Sequence, residues 1–168
     1  MRGGPAAYLT PDRKRNEMTM TSHHLTSGLP DPQTEAAFYE GVPLKRFIAW
    51  VVDAIVITLF SLIAVPFTAF TAIFYFPFMM LFVGFIYRWG TIASRSSTWG
   101  MRLMAIEFRN DDGHRFDSGE AALHTLGYTV AWAVFPLQLV SMVMMCVTER
   151  GQGLIDTIMH TTAINKPA

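Results

Sequence analysis

The residue best placed to do chemistry is Asp53, the only charged side chain between residues 47 and 87 of an otherwise apolar stretch. A carboxylate well inside a bilayer costs about 2.5–3.5 kcal/mol, so it usually faces the interior of a helix bundle and has a partner or marks a pathway. Arg46 lies close to two helical turns earlier and therefore shares the helix face of Asp53. The spacing predicts a polar stripe that is either a charge pair fixing helix packing or a cation or proton site.

Other reactive constellations are missing from the sequence. Ser94, Ser96 and Ser97 have no histidine or carboxylate at a catalytic spacing, and Gly100 is isolated rather than part of a phosphate-binding loop. The single cysteine, Cys146, excludes an intramolecular disulfide and a cysteine-based zinc cluster. We therefore expect no enzymatic activity, no cofactor and no metal site.

The apolar stretch around Asp53 predicts two membrane-spanning helices, because it is about twice the roughly 20 residues that cross a hydrocarbon core. The first helix is predicted to begin after residues 41–43 and the second to end at residues 87–89, with the turn near residues 65–68. Lysine and arginine lie on both outer flanks but not in that turn. The positive-inside rule then predicts a plasma (inner) membrane protein with a cytoplasmic N-terminus.

A second uncharged stretch, residues 121–147, predicts a third crossing. One tilted span from about residue 126 to residue 147 is the simpler interpretation, whereas Pro136 could break the stretch into an interfacial helix and a short or re-entrant one. This choice decides the side of the C-terminus and stays open. His124 is either a polar residue near the interface or part of a proton relay. The predicted fold class is an all-α membrane protein with about three transmembrane helices, the third broken near Pro136 in one of the two interpretations.

The connection formed by residues 90–119 carries balanced charges and predicts a short cytoplasmic β-hairpin. Apolar and polar residues alternate from 104 to 109, which is the period of a strand with one buried face. Turn-forming residues at 110–113 would return the chain through residues 114–116. Asp117, followed three residues later by Glu120, predicts a capped helix start.

Composition supports the membrane interpretation and sets the domain boundaries. The chain is 51% hydrophobic and 15% charged, whereas soluble domains have about 25% charged residues. Its net charge is zero, so nothing indicates a nucleic-acid partner. Residues 1–40 are polar and aperiodic and predict a disordered N-terminal tail. Residues 41–165 then form the transmembrane domain.

Three motifs, in order around these stretches, resemble the RDD family of small prokaryotic membrane proteins, named for one arginine and two aspartates. The first-span pattern is carried by Arg46 and Asp53, and the terminal motif, residues 152–156, carries the second aspartate. Residues 98–106 resemble the loop motif. The residues that the family's motifs single out are Arg46, Asp53, Gly100, Arg102 and Asp156.

One position in the loop motif departs from the family pattern. Met101 stands at the first of the two positions that are usually basic in the family. The resemblance covers residues 42–164.

The resemblance implies a transporter or transport subunit, with exchange of a small cation for a proton proposed for some family members. Arg46, Asp53 and Asp156 would then form an ion pathway or a structural charge network. Three spans rarely enclose a pathway, so we expect a homo-oligomer or another membrane protein as partner, in addition to the lipid bilayer. The alternative is a membrane interaction or assembly factor whose loop binds a partner and whose charged residues are structural.

Overall fold

The computed structural model describes residues 27–68 and 71–166, which are mostly helical. The elements are α1 (Val42–Ala64), α2 (Phe76–Arg95), α3 (Trp99–Leu103), β1 (Ile106–Arg109), α4 (Ser118–Ala133), α5 (Phe135–Val147), α6 (Leu154–Ile158) and β2 (Thr162–Asn165). Two helical segments are long and apolar enough to cross a membrane, and the bent pair formed by α4 and α5 is a third candidate if it counts as one span. The predicted helical membrane architecture is confirmed at this level.

Helices α1 and α2 form the predicted hairpin. Gly41 has a left-handed backbone and Pro43 lies in the first turn, where a missing N–H costs nothing, so α1 begins there. The connection turns at Pro66–Thr68, as predicted. Helix α2 continues past the predicted end to Arg95, because aromatic and basic residues mark a membrane border without stopping a helix.

The third apolar stretch is broken rather than continuous. The chain bends by 116° between helices α4 and α5. The helix is therefore broken near Pro136, and a single straight, tilted span is not formed. Val134 separates the two helices, and Pro136 occupies the first turn of α5, where proline is tolerated. The start of α4 lies beside α2, since the Trp89 indole donates to the Ser118 carbonyl at 3.2 Å.

The predicted β-hairpin is wrong in its partner strand. The turn is formed, with Gly113 at a φ of 75° and its N–H bonded to the Asn110 carbonyl. However, β1 pairs antiparallel with β2 at the end of the chain, in the register Ile106 to Asn165 and Arg109 to Thr162. Residues 114–116 form no strand.

The Phe116 N–H of the predicted return strand donates instead to the Ser96 hydroxyl. The alternating pattern also assigned Glu107 to an exposed face. Its side chain is buried and forms ion pairs with Arg109 and Arg115. Arg115 is therefore engaged with this carboxylate. The predicted helix start at Asp117 is confirmed, because Asp117 and Glu120 form reciprocal capping hydrogen bonds.

The segment before α1 contacts the domain in the part that the structure describes. The N–H of Gly28 donates to the Asp111 carbonyl at 2.7 Å, and the Tyr39 hydroxyl donates to the Pro30 carbonyl at 2.7 Å. The Asn165 amide also donates to the Ala37 carbonyl at 2.8 Å, so Gly28 and Ala37 both contact the domain that follows. The prediction for residues 1–26 lies outside the described residues.

Candidate functional site

Asp53 is buried in the middle of α1 and accepts three hydrogen bonds. The Tyr87 hydroxyl and the Gly100 N–H donate to Oδ1 at 2.7 and 2.9 Å, and the Thr98 hydroxyl donates to Oδ2 at 2.6 Å. These donors come from α2 and from the start of α3. They compensate for the loss of water around the carboxylate and join three segments at one point.

The loop motif provides the contacts of α3 with Asp53. Thr98 is the N-cap of α3, and its Oγ1 accepts the Met101 N–H while its hydroxyl donates to Asp53. A Cβ at position 100 would lie 2.2 Å from the Ala49 carbonyl oxygen. Only glycine lets α3 approach α1 this closely and direct its N–H at the carboxylate.

The cation nearest to Asp53 is Arg88, not the predicted Arg46. Nη1 of Arg88 lies 3.7 Å from Oδ2 of Asp53, which is beyond hydrogen-bond distance, and its guanidinium stacks over the Tyr128 ring at 4.4 Å. Among the described residues, Arg46 forms no ion pair with Asp53. Two helical turns separate Arg46 and Asp53 by about 10.5 Å along α1, so different segments reach each of them.

Arg46 pairs instead with Asp156, the second aspartate of the terminal motif. Nη1 of Arg46 donates to Oδ2 of Asp156, which also accepts the Gly153 N–H at 2.9 Å, and Nε2 of His124 lies 2.8 Å from Oδ1. The carboxylate is fully buried. Burial raises the pKa of Asp156. The Arg46 guanidinium and the His124 contact together lower it by more, so the pKa lies well below its ordinary value.

An ionised Asp156 determines the donor in this contact. A carboxylate without a proton can only accept, so Nε2 of His124 carries the hydrogen and donates it to Oδ1. His124 is itself 5% exposed and packs against the Phe108 ring, with centroids 4.6 Å apart. The contact orients the imidazole with Nδ1 as its remaining polar atom.

Arg102, the basic residue of the loop motif, lies outside both aspartate clusters. Its Nη2 donates to the Thr91 carbonyl at 3.1 Å and to the Ser94 hydroxyl at 3.2 Å. These contacts attach α3 to the last turns of α2. Met101, which stands at the first of the two positions that are usually basic in the family motif, is buried in the apolar core.

A cavity of about 420 Å³ lies between α1, α4 and α5. Arg46 and Arg88 line it, and so do Asp53 and His124. Asp156 lies behind Arg46. The rest of its wall is largely apolar and includes Trp50 and Trp132, whose rings stack at 5.8 Å. The structure thus brings the two charge clusters to a common cavity without joining Arg46 to Asp53.

Comparison with known proteins agrees with these motifs. A sequence model of the RDD family matches residues 41–160, which include both aspartates and the α3 motif. The chain belongs to the RDD family. No curated protein and no solved structure matches it.

The RDD motifs include both aspartates and the residues of α3 that contact Asp53. They do not include Tyr87, Arg88 and His124, which complete the two clusters. The sequence predicts Tyr87 and Arg88 only as an aromatic and a basic residue at the end of the second membrane helix. It leaves two interpretations for His124. The usable signal for Arg88 is its position at the end of an apolar run, which predicts a basic residue near the interface but not its partner. For His124, the amphipathic pattern predicted a polar face without predicting Asp156 as the contact.

The described residues of this RDD chain were compared with the ligand sets that hold metal ions. No group of three or more histidine, cysteine, aspartate or glutamate side chains there is arranged to hold a metal ion. The two aspartates lie in separate clusters, each with its own cation. What the arrangement can do chemically is bind a charged or polar group at the cavity wall.

Proposed function

We propose that this RDD protein is a transporter or the membrane subunit of one, and that its substrate occupies the cavity between α1, α4 and α5. The observation that carries the proposal is the 116° break between α4 and α5 at a cavity that both arginines reach. Discontinuous helices in membranes are tolerated where they line a cavity, and they form the binding sites of many transporters.

The proposed arrangement in the membrane has two crossing helices and one re-entrant pair. Helices α1 and α2 cross, and α4 and α5 enter and return on one side. Two contacts support this: Trp89 near the end of α2 donates to Ser118 at the start of α4, and Arg46 near the start of α1 donates to the Gly151 carbonyl just after α5, at 3.4 Å. The distribution of Lys and Arg favours the cytoplasm as that side, by the positive-inside rule. We propose the plasma membrane as the membrane.

Exchange of a small cation for a proton is the specific form of transport that we propose to test first, with Asp53 as the exchanging group. Asp53 borders the cavity, whereas Asp156 has a lowered pKa and lies behind Arg46. Oδ2 of Asp53 accepts the Thr98 hydroxyl as its one donor among the described residues, so it keeps a lone pair for a cation that enters from the cavity.

The cavity opens between helices rather than along a closed pore, so a complete pathway needs further helices. A second copy of this chain or another membrane protein would supply them. Large apolar side chains are exposed along α1 and α5, including Ile63, Leu62 and Val143. Lipid covers this surface where no partner does.

The alternative function is a membrane interaction or assembly factor in which the charges only hold the fold. The observation that favours it is the complete hydrogen bonding of both aspartates by neighbouring segments. Such clusters fix packing without any transported ion. The two functions differ in whether the purified chain moves ions.

Flux in vesicles that contain only this protein separates the two. We expect an imposed sodium or potassium gradient to drive proton movement in wild-type vesicles, and Asp53→Asn to abolish it. Asp112→Asn, at an exposed loop position, is the matched control and should keep the flux. Because Asp53→Asn could disturb packing, Trp132→Leu provides a second variant that alters the cavity without touching the Asp53 hydrogen bonds. Wild-type vesicles without flux, from protein that elutes as one stable species, would exclude a transporter formed by copies of this chain alone.

A further inference from the structure

Arg88 is a partly buried cation that donates no hydrogen bond within the part of the chain that the structure describes. Its side chain is 14% exposed, and its guanidinium donates to no other described residue. The nearest carboxylate oxygen, on Asp53, is 3.7 Å away and already accepts from Thr98. A guanidinium has five N–H donors, and placing them in an apolar region without acceptors is costly.

The position of Arg88 directs these donors at the cavity. Its Cζ lies 4.4 Å from the centroid of the Tyr128 ring on α4, and both residues line the cavity wall. Stacking covers one face of the guanidinium but leaves the N–H groups in its plane. A planar, two-oxygen acceptor such as a carboxylate or a phosphate matches that edge.

The remainder of the wall suits an apolar chain. Trp50 and Trp132 form a stacked aromatic surface, and Phe135, Leu139 and Met142 of α5 continue it. A cavity of about 420 Å³ falls in the range of small-molecule sites, which is roughly 300–1,000 Å³. One end of the site is therefore cationic and the other aromatic and aliphatic.

We propose that this cavity binds an oxyanion that carries an apolar chain, with Arg88 as the residue that holds the carboxylate or phosphate. The inference goes beyond the proposed function, because it concerns what the cavity binds and holds whether or not the chain moves ions. A hydrophobic cation is the competing occupant: Asp53 would attract it, whereas Arg88, 3.7 Å from Asp53, would repel it. The free N–H donors of Arg88 favour the oxyanion. An acidic lipid and a free amphipathic anion share the required chemistry.

The test uses the full chain in phosphatidylcholine nanodiscs, titrated with dodecyl phosphate and, separately, with dodecyltrimethylammonium, with quenching of tryptophan fluorescence as the readout. We expect dodecyl phosphate to bind and Arg88→Gln to weaken it about tenfold or more, the effect of losing a charged hydrogen-bonded pair. Arg95→Gln is the matched control, since it removes an exposed arginine from the same helix, and should leave the affinity unchanged.

Two results would overturn the proposal: equal affinity for the phosphate in Arg88→Gln and wild type, or equally tight binding of the ammonium probe by the wild type. The second comparison needs no variant and decides the matter even if Arg88→Gln does not fold. Arg88→Lys, which keeps the charge but not the planar edge, should bind with intermediate affinity.

The source of the ligand is read from a second set of nanodiscs that contain phosphatidylglycerol. If an acidic lipid fills the cavity, dodecyl phosphate should bind more weakly there, and native mass spectrometry should find a bound phosphatidylglycerol that Arg88→Gln loses. Unchanged affinity for dodecyl phosphate in both lipids would assign the site to a free amphipathic anion. A flux assay without ion movement would leave both results intact, so failure of the proposed function is distinguishable.

Discussion

The Thr98 hydroxyl donates a hydrogen bond of 2.6 Å to the carboxylate of Asp53, a residue on a different helix. The same oxygen accepts the N–H of Met101 and so caps α3. One side chain thereby starts a short helix and holds it against α1. The loop motif and the membrane aspartate are therefore parts of one structural unit.

Replacing Thr98 by valine should destabilise the fold by about 1–3 kcal/mol, because a buried carboxylate oxygen loses its donor and α3 loses its cap. Thr98→Ser keeps the hydroxyl and should lie close to wild type. Thermal unfolding of both variants in detergent measures the difference. A Thr98→Val variant as stable as wild type, together with a destabilised Thr98→Ser, would mean that the methyl group, and not the hydrogen bond, stabilises this site.

Gly100→Ala should cost about 1–3 kcal/mol or prevent assembly, because the added Cβ would lie 2.2 Å from a backbone carbonyl oxygen of α1. Gly90 offers a matched control in α2, where a Cβ meets nothing within 4 Å. Gly90→Ala should be neutral or slightly stabilising, since alanine favours helix. The comparison is made by fluorescence-detected size exclusion after heating. A Gly100→Ala variant as stable as Gly90→Ala would contradict the close approach of α3 to α1.

Sequence patterns predicted the elements well where the bilayer dictates them. The uncharged stretch around Asp53 could only form a helical hairpin, and Asp117 with Glu120 could be recognised as a cap from their spacing alone. The family resemblance also identified the right aspartates. Local patterning and membrane cost are properties of short segments, which explains this success.

Pairing between distant segments was not predictable in the same way. Arg46 and Asp53 share a helix face, but other segments compete for each of them, and Asp156 reaches Arg46 while Tyr87 and Thr98 reach Asp53. Likewise, β1 pairs with the distant β2, while the Phe116 N–H of the predicted return strand donates to Ser96. Such outcomes follow from the packed structure and not from spacing along the chain.

The partners of Arg46 can be tested by double-mutant cycles. Arg46→Gln and Asp156→Asn should couple by about 1–3 kcal/mol, because each residue leaves the other as an unpaired buried charge. The losses of unfolding free energy caused by Arg46→Gln and Asp53→Asn should add to within about 0.5 kcal/mol, because the two residues are not in direct contact. Unfolding in detergent supplies the free energies. Strong coupling of Arg46 with Asp53, and none with Asp156, would restore the pairing that the sequence suggested.

Acid should weaken the fold through Asp156 in a defined direction. The pKa of Asp156 is lower in the folded chain than in the unfolded chain, so its contribution is fully present above the unfolded value of about 3.9 and is lost progressively as the pH falls below it. The stability difference between wild type and Asp156→Asn should therefore be constant from pH 7 to pH 5 and shrink below about pH 4. A difference that grew on acidification would mean that the folded carboxyl group has a raised pKa.

The C-terminus should lie on the same side of the membrane as the N-terminus. The Lys45 ammonium group donates to Oδ1 of Asn165 at 2.7 Å, and the Asn165 amide donates to the carbonyls of Ala37 and Glu40 at 2.8 and 3.0 Å. These contacts join the last strand to the residues that precede and begin α1. A re-entrant α4–α5 pair is compatible with them, whereas a third crossing would separate the two ends by a bilayer.

In a Cys146→Ser background, Ser27→Cys and Asp112→Cys should resist an impermeant maleimide in intact cells, and a reporter fused after Ala168 should read as cytoplasmic. Phe67→Cys, at an 87% exposed position in the α1–α2 turn, should react and serves as the control. A C-terminal reporter on the outside together with an N-terminus inside would show that α4 and α5 cross as one bent span.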